Sequence, residues 1–388
     1  MTIAISAEQR RARLGLRHHL AAEAPTTHVA SLTEALVGLH ATDPATPFLS
    51  ARARLPGFEV EHLEQALYGR EEVVKHLCMR RTMFVQATSL LPTVQAAVSD
   101  AVALTQRKRL VADLEKGGGA TDGAAWLARA EAATAAALAA LGPSRGAELS
   151  RAVPELQTKL TYAPGKAYGG EVGVATRVLT IMAVEGRIRR GRPAGSWTSS
   201  QHRWAPVPRP DEAVATDEAR CDLVRRWLRA YGPATTGDLA WWSGLGARMI
   251  TKALAGIDAV EVDLDGEPGW VLGDDLDPVV APAPWVALLP ALDPTTMGWK
   301  ERAWYLGDHG PRLFDRNGNA GPTVWCDGRV VGGWAQRATG EVAVELFDDV
   351  GGEASTAVAL EAEALERWLK PVTIRTRFPT PTEKVLRD

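Results

Sequence analysis

The run His40-Ala41-Thr42-Asp43-Pro44 carries side chains that can handle protons or hold water. An imidazole titrates near neutral pH, a hydroxyl both donates and accepts, and a carboxylate accepts hydrogen bonds and carries charge. Chemistry, if the chain performs any, is expected here. The same residues also have a plainer reading, in which Thr42 or Asp43 caps a helix starting near Ala45 and His40 is an ordinary histidine at a helix end.

Several elements must position that run. Val29, Leu32, Leu36 and Leu39 recur at helical spacing, with Ser31 and Glu34 placed as a capping box, so residues 31–39 are expected to form a helix packed on a core. Pro44 should stop it and bias Asp43 toward extended backbone. His40, Thr42 and Asp43 then lie on a rigid corner, where an extended run puts His40 and Thr42 on one face. Residues 7–22 read as a preceding helix, and residues 45–54 and 60–68 as two short ones. Residues 73–87 alternate like a two-stranded ribbon turning at Arg80-Arg81. Helices followed by a ribbon give a winged-helix outline, and Lys75, Arg80 and Arg81 are candidates to lie along a phosphate backbone.

The outline recurs. Residues 89–114 and 121–141 are long helical patterns broken at Gly117-Gly118-Gly119, and the second is alanine-rich. Ser144 should cap a helix to Val153, and residues 172–186 supply another. Residues 187–210 then hold Arg187, Arg189, Arg190, Arg192, Arg203 and Arg209 with no acidic residue, interleaved with Trp197 and Trp204, as in a basic wing turning at 190–195. A third unit combines helices at 217–231 and 247–255 with a hairpin at 259–273. Glu261, Asp263, Asp265 and Glu267 make that wing acidic, so it should support the fold rather than bind phosphate. Beyond Asp277 the pattern is β-rich, at 285–289, 323–326, 329–335 and 342–347, and closes on a helix at 357–370. Residues 288–310 read as a long ordered loop offering Lys300 and Arg302 as further DNA-binding candidates. The expected fold is α+β, mainly α: units at 1–116, 117–210 and 211–278 with a C-terminal β-rich element at 279–388.

Composition narrows the classes. With 388 residues, 46% apolar and 23% charged, the chain is expected to be a soluble globular protein of several units. No apolar run approaching the roughly 20 residues of a membrane span stands out, and the N-terminus lacks a signal-peptide core, so a cytoplasmic location is expected. Cys78, Cys221 and Cys326 are too scattered for a disulfide framework or zinc site. A net charge of -3 argues against indiscriminate DNA coating but permits a local basic face. A phosphate-binding glycine loop, a GxSxG elbow, HExxH and paired CxxC are all absent from the sequence, and His18-His19 reads as a pair on a helix face without converging Cys or carboxylate ligands, expected to be surface rather than a metal site.

Five stretches together carry a family resemblance: Leu39-His40-Ala41-Thr42-Asp43-Pro44, Met79-Arg80-Arg81-Thr82, Gln201-His202-Arg203-Trp204-Ala205-Pro206, Leu289-Pro290-Ala291-Leu292-Asp293-Pro294 and residues 322–334, from Pro322 to Trp334. In order and spacing, the chain resembles the winged-helix DNA-binding family of the azinomycin-resistance and bacterial interstrand-crosslink-repair DNA glycosylases. That resemblance implies three tandem winged-helix units in a C-shaped body, double-stranded alkylated DNA as partner, no membrane, a monomer, and excision of N7-alkylated guanine or bulky adducts without metal or cofactor. Characterised members read Gln-apolar-Gln or Gln-apolar-Asp at the corner, whereas this chain has His40-Ala41-Thr42. An N7-alkylated purine leaves without a general acid, so the protein need only hold water and stabilise an oxocarbenium-like sugar. On the resemblance, His40 would accept a proton from that water, Thr42 would orient it, and Asp43 would supply negative charge. The alternative is a non-catalytic winged-helix DNA-binding protein, either a transcriptional regulator or a lesion binder.

Overall fold

Val37 and Gly38 take positive φ angles of 53° and 110°, and this reversal sets the geometry of the corner. A computed structural model describes residues 3–23, 25–162, 170–207 and 214–388; Arg209 lies outside them. Strand β1 (Ile3–Ala4) and helix α1 (Ala7–Arg17) precede α2 (Val29–Ala35), which starts earlier than its pattern suggested and stops well before Pro44. The Ser31/Glu34 capping box does not form: His28 is the N-cap, and Glu34 instead accepts a hydrogen bond from the Ser89 hydroxyl. At Gly38 a Cβ would come within 2.7 Å of the Gln86 amide, so only glycine fits where the chain turns back. It then enters β2 (Leu39–His40), so His40 sits in a strand rather than at a helix end. Helices α3 (Thr46–Arg52) and α4 (Val60–Tyr68) follow, then the expected ribbon, β3 (Val73–Leu77) and β4 (Met83–Ala87). Strand β2 pairs antiparallel with β4, placing His40 opposite Phe84 in a sheet ordered β2-β4-β3.

The next unit is helical. Helix α5 (Leu91–Val94) runs through one wide turn into α6 (Asp100–Lys116), followed by α7 (Gly123–Leu141) and α8 (Gly146–Ala152). By length and composition α7 alone among the described helices is apolar enough to cross a membrane. It packs against α6 and α8, and its Glu131, only 5% exposed, pairs with Arg107 and Arg187. Arg145, not Ser144, is the N-cap of α8; the Ser144 backbone bridges to Trp204. A ladder unforeseen from sequence, β5 (Lys159–Tyr162) with β6 (Gly170–Gly173), precedes α9 (Ala175–Val184). The basic hairpin forms as β7 (Ile188–Pro193) and β8 (His202–Pro206), but its connection is at 194–201, because Arg190 to Pro193 belong to the strand.

In the third unit, α10 (Thr216–Tyr231), α11 (Thr236–Ser243) and α12 (Ala247–Ala255) lead to β9 (Ala259–Leu264) and β10 (Glu267–Leu272). The hairpin turns on two residues, Asp265 and Gly266, both at positive φ, the arrangement that matches strand twist. Strand β1 adds to β9 in parallel. Beyond it, β11 (Val286–Leu289), the short helices α13 (Ala303–Leu306) and α14 (Gly310–Leu313), β12 (Thr323–Cys326), β13 (Arg329–Gln336) and β14 (Val342–Leu346) lead to α15 (Gly351–Leu369) and α16 (Pro381–Arg387). Its four strands pair in chain order, with Asp327-Gly328 as the expected tight turn. The described residues are thus α+β, with helices and several small sheets, and a pattern of helices then hairpin occurs three times.

A buried ion pair locks α3 to the loop after β11. Arg54 and Asp293 side chains are both fully enclosed and bonded at 2.6 and 2.9 Å. The three remaining Arg54 bonds go to the carbonyls of His18 and Ser50 and the hydroxyl of Thr295. Removing one partner would strand a buried charge, so Arg54→Ala or Asp293→Ala should cost about 3–5 kcal/mol in urea unfolding, while the Arg54→Met, Asp293→Leu pair should cost less than either single change. Equal or additive losses in the pair would contradict this account.

Candidate active site and nucleic-acid interface

Asp43 is fixed at the corner by two backbone donors. The Ala45 N–H reaches Oδ1 at 3.1 Å, and the Arg377 N–H, from the segment between α15 and α16, reaches Oδ2 at 3.1 Å. Burial, the largest influence, pushes its carboxyl above the usual carboxylate range, against the pull of these bonds. Residues 41–45 form one wall of a cleft of about 880 Å³. Lys75 of β3, Arg190 and Pro193 of β7, residues 198–200 with His202, Ala338, and Thr373, Ile374, Arg375 and Arg377 complete it. Lys75, Arg190, Arg375 and Arg377 are four cations against one carboxylate, Asp43, so the wall potential is positive around a single negative group.

His40 departs from its expected place. It is 3% exposed, does not line the cleft, and packs its ring 4.4 Å from that of Phe84; both ring nitrogens are buried without a hydrogen-bond partner. Burial, reinforced by Arg80, pushes its pKa down to about 3. His40 and Thr42 therefore do not share one accessible face: Thr42 lines the cleft, and a neutral His40 lies behind it. The corner retains a hydroxyl and a carboxylate that can hold water.

The basic candidates divide into two groups. Arg190 is largely buried, its Nε has no partner, and its guanidinium lies 5.8 Å from the Trp204 ring. Lys75 donates to the Tyr68 hydroxyl at 3.0 Å, and burial followed by the charge of Arg190 pushes its pKa down to about 8. Arg203 is exposed and forms no ion pair among the described residues; it lines an adjoining depression of about 410 Å³ with Lys75 and Arg190. The basic window is less free than its composition suggested: Arg187 pairs with Glu131 and Glu185, Arg189 with Glu71, and Arg192 with Glu64. Trp197 is a core residue, 9% exposed between Phe48 and Trp368, so the expected aromatic surface is not formed by it. Arg80 and Arg302 both stack on one ring, Trp241, at 4.0 and 4.8 Å. Arg81 is exposed and, among the described residues, its side chain reaches only Gln106, and Lys300 pairs with its neighbour Glu301. These four stand apart from the cleft walls.

Arg375 and Arg377 escaped the sequence reading. Both are exposed, and neither forms an ion pair among the described residues. Their one signal was the Arg-Thr-Arg spacing, which in extended backbone puts two side chains on one face.

This corner and cleft lie in a fold with known relatives. A sequence profile of the family described as DNA glycosylase AlkZ-like matches residues 33–368, and the chain belongs to that family. The interstrand DNA cross-link repair glycosylase of Streptomyces sahachiroi is 30% identical over 173 residues, 42% of this chain and 45% of the relative, so the match spans about half of that protein's length. The solved structure of Streptomyces sahachiroi DNA glycosylase AlkZ superposes with a TM-score of 0.73 at 19% identity, covering 96% of this chain and all of that one, a likeness of fold.

Buried and half-buried neutral histidines make the fold acid-sensitive. His40 is pushed down to about 3, and His76 and His202 to about 4, all chiefly by burial, whereas an unfolded chain binds these protons near 6.5. Because the unfolded state takes up more protons, stability is full above about pH 6.5 and is lost as pH falls toward 4. Melting temperature should drop over that interval, and His40→Gln should flatten the drop by one proton's share. An unaltered slope would show that His40 is not held neutral.

Proposed function

We propose that this protein is a DNA glycosylase that hydrolyses the N-glycosidic bond of N7-alkylated guanine or bulky alkyl adducts in double-stranded DNA. The observation that carries the reading is the meeting of the Thr42-Asp43 corner with four cleft cations, in a chain of the AlkZ-like DNA glycosylase family. The name of the Streptomyces relative supports damaged DNA as the substrate. We read the three helix-and-hairpin groups as tandem winged-helix units around the duplex, with the protein acting as a monomer and without a cofactor.

The division of labour follows from the geometry. Lys75, Arg190, Arg203, Arg375 and Arg377 neutralise phosphates, while the paired arginines of the wing contribute less. An alkylated purine departs as a neutral base from a positively charged nucleotide, so no acid is required. The Asp43 carboxylate stabilises the developing positive charge on the sugar, and the Thr42 hydroxyl orients the attacking water. Neutral His40 backs the corner rather than activating water, which moves the acceptor role onto Asp43.

The test is a duplex with one N7-methylguanine, incubated with protein and then cleaved by alkali at abasic sites. Asp43→Asn should lower single-turnover excision by about 10²-fold or more, and Thr42→Ala by about tenfold, with duplex affinity nearly retained. Excision should also fall on acidification as Asp43 protonates, from its raised pKa. A wild-type protein that binds this duplex but excises nothing from it or from bulkier N7 adducts would favour the lesion-binding alternative, which the withdrawal of His40 from the cleft also supports.

A further inference from the structure

Lys75 is placed unlike the other lysines with described contacts. Lys159, Lys252, Lys300 and Lys370 each lie beside a carboxylate, whereas Lys75 forms no ion pair among the described residues. Among the described residues its ammonium hydrogen-bonds only the phenol of Tyr68. It lines both the large cleft, which Thr42 and Asp43 also line, and the adjoining depression, so it stands where the two meet. Arg190 of β7 and His202 of β8 face it, Glu64 of α4 acts on it from a distance, and Arg192 covers the Tyr68 ring at 4.8 Å.

We propose that Lys75 is the nucleophile of an abasic-site lyase activity in this cleft. The inference takes its substrate from the glycosylase reading above, because excising a base leaves a deoxyribose whose ring-opened form bears an aldehyde at C1′. A desolvated amine beside another cation is the type of lysine that attacks carbonyls, since its neutral form becomes accessible near neutral pH. With a pKa of about 8, about one Lys75 amine in ten is unprotonated at pH 7, against about one in three thousand at the ordinary value.

The Nζ lone pair adds to C1′, and loss of water leaves a protonated imine. The C2′–H bond then breaks, its proton passing to a base such as water, and its electron pair forms the C2′–C3′ double bond. The C3′–O bond breaks, and the 3′ phosphate leaves with that bond's electrons. Water hydrolyses the imine, returning the Lys75 amine and an unsaturated aldehyde on the cut strand. Nothing is oxidised or reduced overall. Arg190, Arg375 and Arg377 supply the positive surroundings that a departing phosphate needs.

The experiment uses the full chain and a duplex with a single abasic site, made by enzymatic removal of uracil, so that no base remains to be excised. Sodium cyanoborohydride should convert the imine into a stable amine, giving a covalent protein–DNA band on a denaturing gel. Proteolysis and mass spectrometry of the wild-type adduct should place the sugar remnant on Lys75. Trapping should rise at least tenfold from pH 6 to pH 8 and then level off, and Lys75→Arg should reduce it at least 100-fold. No adduct from wild-type protein, or an adduct mapped to another amine, would overturn the proposal. Failure to excise N7-methylguanine beside successful trapping would instead overturn the glycosylase reading, so the two outcomes are separable.

Discussion

The Arg54–Asp293 pair is the constraint around which the corner is built. A guanidinium has five N–H donors, and Arg54 uses all five inside the protein: two on Asp293 and one each on Ser50, Thr295 and His18. Asp293 also accepts from the Ser50 hydroxyl and the Thr295 N–H. With every polar atom engaged, a pair that would be costly in isolation becomes a directional lock. It sets α3 against the loop after β11, and Thr46, at the start of α3, bonds the Ala291 carbonyl at 2.7 Å. The corner at 41–45 therefore inherits its position from contacts some 245 residues apart in sequence.

Several arginines away from the cleft are met by carboxylates, as Arg187 is by Glu131 and Glu185, whereas Arg375 and Arg377 at the cleft have none among the described residues. A net charge of -3 is thus compatible with a locally positive groove. Such a groove draws a polyanion by long-range attraction that salt screens over about 10 Å at 0.1 M.

Much of the architecture was legible because its signals are local. Asp265-Gly266 and Asp327-Gly328 take the positive φ angles that hairpin turns require, and alternation in 73–87 gave both strands of that ribbon. The end of α2 was not legible, since a β-branched residue such as Val37 rarely adopts φ near 53° and only tertiary packing forces it there. The corner was found by residue type, yet the direction of His40 depends on pairing with Phe84, a long-range register. Composition overstated the free charge of 187–203, because the partners Glu64 and Glu71 lie more than a hundred residues upstream. Arg375 and Arg377 fall in irregular backbone, where no periodicity marks a face.

Part of the cleft lining comes from Thr373, Ile374, Arg375 and Arg377, beyond the 33–368 span that matches the family profile. This segment is tied down through main-chain donors, the Ile374 N–H on the Gln336 side-chain amide oxygen and the Arg377 N–H on the Asp43 carboxylate. Attachment by backbone leaves the Thr373 and Arg375 side chains with no hydrogen bond or ion pair among the described residues, and Arg377 over the ring of its neighbour Phe378 at 5.6 Å. Substitutions at these exposed side chains would therefore alter the charge and shape of the cleft while the corner and the core stay unchanged.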